Sequence, residues 1–578
     1  MKNEFESYFF SKLKHDTDIN NCYFCMPSND CFTYCINELK HALENQLEEN
    51  IKNNYVLELS KWFFSFLEND PILKKVDSLK FSKLLLLLKD LSEGKQCNKK
   101  ETVTNLVFLR NSLTFHYFSR IKDELLSLNG VNEIDYSFLD CLIELFLNEC
   151  LARDIDIRFI NKTIEWYENG VFQSFQSYLC FFVEKKHISY DIYIPLLNYK
   201  AINEDVFEQN GQKIVQLDND YYLHIYENGS IDYYRIITSH MIRINSIFNT
   251  IKLYTSSEID YDYKKNILIK IDCDEIEKMK EVYLPFSNLI KYKGVNPYAK
   301  FMSNSIQNLN VLYDVDRDLY HKILNIIGYS EKNNDSINSS SYVDSWIALE
   351  SLYSLNSIMF GFKSVKTLLP SFISSKIIIN KLTYILKNGF KSSRISAENF
   401  IGLSEADTDV LAEKSSSFYY KRELLKMKNR LSSIKNLSKY YSDIEKRISI
   451  DLTRIYMLRN EYVHESKLSA FKSLEFYKLR NYLVLSIDLF FNMLDQRIGY
   501  DNVGGEIAYN VFSRLKDKND LRRIFFIVST EKRKYRNNAE ILEIIELNDR
   551  VSMSDVIRNI VFNNNSIVKK FVKHDKAE

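Results

Sequence analysis

Residues 452–464 read Leu-Thr-Arg-Ile-Tyr-Met-Leu-Arg-Asn-Glu-Tyr-Val-His, and this stretch decides how the late part of the chain folds. At ~100° per residue on a helix, its apolar side chains form one stripe with Arg459 at the centre. The stripe comprises Leu452, Ile455, Tyr456, Tyr462 and Val463. Because an unpaired buried charge is costly, we expect Arg459 to have a carboxylate partner, to line a cleft or to face a second copy of this helix.

Asn460 and His464 lie one helical turn apart and share a face beside Arg459. The three side chains together offer a cation, an amide and an imidazole. Arginine can hold two phosphate oxygens at once, and a histidine that titrates near neutral pH can move a proton. The cluster is therefore typical of sites that act on phosphodiesters.

The composition indicates a folded, mostly helical protein. For 578 residues we expect three or four domains, and only 6 prolines and 13 glycines leave little room for low-complexity linkers. Lys plus Arg and Asp plus Glu both total 77, so the net charge is zero. This excludes a global attraction to nucleic acid, and any RNA contact must be local.

We expect a cytoplasmic protein with no membrane partner. The longest apolar runs, such as Tyr482–Leu494, are too short or too often interrupted by charges to span a bilayer. Residues Met1–Glu6 carry carboxylates where a signal peptide has a basic and then an apolar region.

The first half of the chain changes character near residue 185. Residues 1–185 show the three-to-four-residue apolar recurrence of helices and contain a cysteine cluster. Residues 186–304 contain short runs rich in Tyr, Ile and Val, such as Tyr221–Tyr226. The turn signals Asn210-Gly211 and Asn228-Gly229 favour hairpins between these runs. We predict a helical region followed by an antiparallel β-rich domain.

Helical periodicity returns in the second half of the chain. A polar stretch makes residues 305–340 a linker, and residues 341–500 are predicted to form an antiparallel bundle of four or five helices. Its predicted helices include Ser371–Asn388 and Phe418–Leu437. Residues 501–578 are predicted to form a small α/β extension. The fold class is thus mainly α with a β-rich middle and a C-terminal helical bundle.

Four cysteines stand together as Cys22, Cys25, Cys31 and Cys35, with His41 six residues further on. In a cytosolic chain, cysteines serve as thiols or metal ligands more often than as disulfides. One interpretation is a structural zinc site, because Cys22 and Cys25 have zinc-knuckle spacing and the other residues could complete a tetrahedron. The other is that Cys31 and Cys35 form one face of a helix that enters the first core.

The predicted bundle resembles a HEPN domain, whose signature is an arginine, a polar residue next to it and a histidine separated from the arginine by four to six intervening positions. Arg459-Asn460 followed by His464 fits this signature. The upstream helix Ser345–Leu352 resembles the opening helix of Apea-like HEPN proteins. The resemblance covers roughly residues 340–498, and it implies an antiviral ribonuclease that cleaves single-stranded RNA, often tRNA or mRNA, in abortive infection.

The resemblance also implies a mechanism that needs no metal or other cofactor. A ribose 2′-OH attacks the adjacent phosphate and leaves a 2′,3′-cyclic phosphate and a 5′-OH, so DNA would survive. His464 would be general base or acid, Arg459 would stabilise the phosphorane, and Asn460 would orient the substrate or the histidine. Glu350 is our candidate partner for Arg459. HEPN bundles usually pair their Arg/His helices, which implies a homodimer.

A second copy of the motif occurs at Arg110-Asn111 with His116. If it is a second half-site, both halves could come from one polypeptide, as in type VI CRISPR effectors. The competing interpretation is a coincidence on a helix whose Leu106, Leu109 and Leu113 pack inward.

Three classes of function are compatible with these patterns. The first is an RNA-cleaving effector whose N-terminal parts sense a phage-derived trigger or hold the bundle inactive. The second is a non-catalytic HEPN scaffold that binds RNA or protein, although a scaffold needs none of Arg459, Asn460 and His464. The third is a zinc-supported HNH-type nuclease, but no His-Asn-His arrangement follows Cys35. No nucleotide-binding or serine-hydrolase motif occurs in the chain.

Overall fold

A computed structural model describes most of the chain between residues 4 and 495. The described residues are 4–18, 31–44, 49–95, 98–131, 133–184, 188–199, 207, 213–255, 259–272, 281–285, 309, 312–313, 316–331, 339–355, 359–390, 395–464 and 473–495. They belong to two compact units, the first within residues 4–285 and the second within residues 309–495.

In its described residues, the first unit begins with nine helices. They are α1 Glu4–Thr17, α2 Phe32–Glu44, α3 Glu49–Leu67, α4 Leu73–Val76, α5 Ser78–Ser92, α6 Lys99–Leu128, α7 Tyr136–Ala152, α8 Ile157–Glu168 and α9 Phe175–Val183. Aspartate or asparagine side chains begin four of these helices, at Asp77, Asn98, Asp135 and Asp156, where each accepts a hydrogen bond from a backbone N–H of the first turn. The caps explain why these helices start where they do.

An antiparallel sheet and a long helix follow in the part of the first unit that the structure describes. The elements are β1 Ser189–Leu197, β2 Lys213–Leu217, β3 Asp220–Asn228, α10 Tyr233–Thr255, β4 Asp260–Tyr261, β5 Asn266–Asp272 and β6 Glu281–Pro285. The strand order is β2-β3-β1-β5-β6, and β4 pairs with β1. In the described part every strand pairing is antiparallel.

Strand residues alternate between a buried and an open face, as the two-residue period of a strand requires. Tyr190 points to the buried side, where its ring lies 5.9 Å from that of Tyr233 on α10. Tyr233 also contacts Phe159 of α8. Aromatic packing therefore joins the sheet, α10 and the N-terminal helices in one core.

The second unit is entirely helical in its described part. Its helices are α11 Arg317–Glu331, α12 Ser339–Ser354, α13 Gly361–Gly389, α14 Ala397–Ile401, α15 Glu405–Ala412, α16 Phe418–Arg430, α17 Ile434–His464 and α18 Ser473–Asp495. Helices α12, α13, α17 and α18 pack on one another. The hydroxyls of Tyr353 on α12 and Ser486 on α18 are hydrogen-bonded at 2.9 Å inside this core.

The mostly helical fold with a small antiparallel sheet in its middle is confirmed. Residues on both sides of position 185 belong to the first compact unit, although the boundary does separate helices from strands. Asn228-Gly229 does not make a hairpin, because Asp232 caps α10 immediately afterwards. Asn210-Gly211 and the predicted extension 501–578 lie outside the described residues. Within the described part, no helix is both long and apolar enough to cross a membrane.

Candidate functional site

Helix α17 carries the predicted site near its C-terminal end. Leu452 and Ile455 of the predicted stripe are fully buried, but Met457 and Leu458 outside it are buried as well, and Val463 within it is 42% exposed. Arg459 is half-buried and Asn460 is only 6% exposed. The helix therefore holds this polar pair at the edge of a packed surface.

The guanidinium of Arg459 has one anchored nitrogen and one orphaned nitrogen. Its Nη1 donates to Asn460 Oδ1 over 3.0 Å. Its Nε is buried and has no hydrogen-bond partner in the described part of the chain. Because an unmade hydrogen bond costs about 1–3 kcal/mol, this buried donor is a position where an anion would be stabilised.

Aromatic side chains of α12 fix α17 around Arg459. The Tyr342 hydroxyl donates to the backbone oxygen of Ile455 over 3.0 Å, and its ring meets that of Tyr462 edge-on at 5.2 Å. One turn along α12, the Trp346 ring lies 5.6 Å from that of Tyr456. These contacts limit how far the arginine-bearing turns can move.

Glu350 is not the partner that we expected for Arg459. It accepts a hydrogen bond from the Trp346 indole over 3.1 Å, one turn earlier on its own helix. Among the described residues, no ion pair joins Glu350 to Arg459. The prediction assumed that a half-buried arginine needs a charged partner. Instead, Arg459 Nη1 donates to the amide oxygen of the next residue, Asn460.

His464 is the last residue of α17, and its side chain lies outside what the structure describes. One turn of helix therefore separates its backbone from Asn460. The predicted convergence of imidazole and guanidinium remains a prediction.

A buried charged group lies two turns before Arg459 and was missed by the sequence analysis. Asp451 on α17 accepts hydrogen bonds from Lys478 Nζ and from the Tyr482 hydroxyl, each over 2.7 Å. Burial, and then the neighbouring Asp451 charge, raise the pKa of Tyr482 well above its ordinary value. The group ties α17 to α18. The sequence signal for this group was a lysine and an arginine among the apolar positions 474–483, where a buried cation needs a partner.

The second motif has a different environment on α6. Arg110 also donates to its neighbouring asparagine, with Nη2 2.9 Å from Asn111 Oδ1, but its Nη1 binds Asn37 Oδ1 at 2.9 Å. Asn111 and His116 are exposed, while Leu113 is fully buried. Positions 110 and 116 are about 120° apart around their helix and positions 459 and 464 about 140° apart, so this angle does not distinguish the two motifs.

The described cysteines of the cluster, Cys31 and Cys35, are fully buried at the start of α2. The Cys31 thiol donates to the backbone oxygen of Asn148 over 3.4 Å. Burial, and then the Glu149 carboxylate, raise its pKa well above the ordinary value. Cys22 and Cys25 lie outside the described residues, and within the described part no three candidate ligands converge. The packing of Cys31 and Cys35 agrees with the helix-face interpretation, and the zinc site stays a prediction.

Comparisons with known proteins add no relative. The scan of protein-family models and the searches of curated proteins and solved structures returned no match to this chain.

Proposed function

We propose that this protein is a metal-independent endoribonuclease of the HEPN type. It cleaves single-stranded RNA, such as tRNA or mRNA, in antiviral defence by abortive infection. The observation that carries the proposal is the buried Arg459 Nε without a hydrogen-bond partner, beside an Nη1 held by Asn460. A phosphate oxygen that gains access to this covered nitrogen would receive its missing hydrogen bond, beside the Nη1 that donates to Asn460.

In this proposal Arg459 stabilises the charge that develops as the ribose 2′-OH attacks the neighbouring phosphorus. His464 takes the proton from that hydroxyl or gives one to the 5′-oxygen that leaves. The Arg459 contact gives Asn460 the role of positioning the guanidinium. A second copy of the chain supplies the other Arg/His pair, and a phage-derived trigger releases the activity.

The test is an RNA cleavage assay with the purified full-length chain in EDTA. We expect labelled single-stranded RNA to be cut to products with a 2′,3′-cyclic phosphate and a 5′-OH, and DNA of the same sequence to stay intact. His464→Ala should abolish cleavage. Arg459→Lys, which keeps the charge but loses the planar fork, should lower kcat by roughly 10²–10³.

Arg317→Lys is the matched control, because Arg317 is an exposed arginine of the same unit. Arg110→Ala separates the two interpretations of the second motif: loss of cleavage assigns it to a half-site, and full activity leaves Arg110 with a packing role. Cleavage that survives His464→Ala or disappears in EDTA would contradict the proposed mechanism. RNA binding without cleavage would favour the scaffold.

A further inference from the structure

The sheet of the first unit leaves one of its faces open. Its opposite face is mostly apolar, and its centre is buried, for instance at Ile192, Leu223 and Ile269. We define the open face by the outward-pointing residues Lys213, His224, Tyr193, Tyr283, Tyr226 and Lys270. Tyr226 and Tyr283 are 60% and 62% exposed, although a tyrosine ring on a sheet would gain free energy by being covered.

The strand register arranges these side chains in rows across the sheet. One row runs from Lys213 through His224 and Tyr193 to Leu268 and Tyr283. At the centre of this row the Tyr193 and His224 rings stack with centroids 4.8 Å apart and planes 28° apart. The row thus consists of a cation, two stacked rings, an aliphatic side chain and an exposed ring.

The neighbouring row, two residues along each strand, interleaves charges with a ring. It runs from Tyr226 through Asp191 and Lys270 to Glu281. Lys270 Nζ lies 5.5 Å above the Tyr193 ring, and His224 Nε2 is hydrogen-bonded to Asp191 Oδ1 at 2.8 Å. Tyr226 and Tyr283 stand on strands three places apart, which separates them by about 14 Å.

We propose that the open face binds single-stranded nucleic acid by stacking bases on its tyrosines. Every base has a π-face that can stack on an exposed ring, and the two lysines are placed to meet phosphates. Carboxylates beside the rings, such as Asp191, can accept hydrogen bonds from exocyclic amino groups of bases. A protein partner fits less well, because interface cores are depleted of the charges that lie between these rings.

Binding at the open face requires neither Arg459 nor His464, so it goes beyond the proposed cleavage. Lys213 and Lys270 are the two lysines that define this face, but Lys270 lies opposite Asp191 and Glu281, and Asp272 stands two residues further along the same strand face. Binding should therefore depend little on neutralising phosphates, and the logarithm of affinity should fall with the logarithm of salt concentration with a slope no steeper than roughly −1.4. Stacking, which salt screens little, supplies most of the affinity.

The test measures fluorescence anisotropy of labelled oligonucleotides of about ten residues with full-length His464→Ala protein, which cannot degrade them under the proposed mechanism. We expect single-stranded RNA to bind and the matching duplex to bind much more weakly. Adding Tyr226→Ala or Tyr283→Ala should raise Kd at least about fivefold, whereas Tyr226→Phe and Tyr283→Phe should retain binding. Tyr329→Ala, which removes an exposed tyrosine of the second unit, is the matched control.

The same assay with single-stranded DNA shows which part of the nucleotide is recognised. Equal binding of single-stranded DNA indicates recognition of bases alone, and preference for RNA indicates that the 2′-OH is read; both support the proposal. Unchanged Kd in both alanine variants, with circular dichroism showing intact folds, would overturn it, as would equal losses in Tyr329→Ala. The proposal would also be overturned if no RNA bound and a protein partner bound through Tyr226 and Tyr283 instead. Loss of catalysis without loss of binding would refute only the proposed cleavage.

Discussion

Two arginines of this chain follow the same local rule with different results. Arg110 and Arg459 each donate to the amide of the next residue, yet Arg110 spends another nitrogen on Asn37 whereas Arg459 keeps its Nε unsatisfied. The Arg-Asn pair that the two motifs share cannot distinguish them, because the difference comes from residues that are distant in sequence. At the scale of single residues, chemistry is therefore decided by what the fold places opposite a side chain.

Asp16 provides a prediction at the same scale. It accepts from Lys12 Nζ and lies against His15 Nδ1, each at 3.0 Å. Burial alone raises the pKa of a carboxyl, but here Lys12 and His15 outweigh it and hold the pKa of Asp16 below its ordinary value. Asp16→Asn should lower the free energy of unfolding near pH 7 by roughly 1–3 kcal/mol.

The pH dependence of that loss follows from the direction of the shift. A depressed carboxyl pKa stabilises the folded state above the unfolded pKa, and this contribution disappears as the pH falls through the lower folded value. The difference between wild type and Asp16→Asn in urea unfolding should therefore shrink below about pH 4. Lys14→Ala, which removes an exposed ion pair with Glu168, should change little at any pH. A difference independent of pH would refute the assignment.

At the scale of elements, the sequence predicted the type of structure well and its interruptions poorly. The apolar recurrence of residues 1–185 gives no sign of a break after Glu168, yet α8 ends there and α9 begins at Phe175. Gly170, with φ +72°, makes the intervening turn. A single glycine was not enough to predict a helix break, because apolar recurrence continues on both sides of it. Its left-handed backbone conformation nevertheless separates the two helices.

At a proline, the sequence predicted a helix boundary that the structure does not have. A helix was expected to begin at Ser371, just after Pro370, yet α13 begins at Gly361 and includes that proline. The helix loses one backbone hydrogen bond there. Burial of Val365 and Leu369 before the proline compensates, and such tertiary packing is invisible in local sequence. For the same reason α10 was missed between strands rich in Tyr and Ile.

Gly389 supplies a prediction for the contact between α13 and α16. A Cβ added at this position would lie 2.5 Å from Cβ of Tyr420, much closer than two carbons can approach. Gly389→Ala should lower the free energy of unfolding by about 1–3 kcal/mol despite the better helix propensity of alanine.

Gly130→Ala is the control for Gly389→Ala, because nothing described lies within 4 Å of its added Cβ. Chemical denaturation of both variants checks the prediction. Equal free energies of unfolding for the two variants would show that α13 and α16 can move apart at Gly389 without loss of stability.

At the scale of the whole molecule, the chain consists of two compact units, each with its own core. Domains with separate cores often unfold in separate steps. We predict two thermal transitions in calorimetry, with Asp16→Asn lowering the midpoint of one and Gly389→Ala that of the other. A single transition lowered equally by both substitutions would show that the units unfold together.

The unbroken length of α17 has a consequence for its two ends. Leu437 is buried in the cluster formed with α13 to α16, and Arg459 stands 22 residues later on the same helix, about 33 Å away. No hinge residue interrupts the intervening turns. Because Tyr342 and Trp346 of α12 also hold the turns around Arg459, a disturbance at the buried end displaces the guanidinium only if this part of α12 moves together with α17.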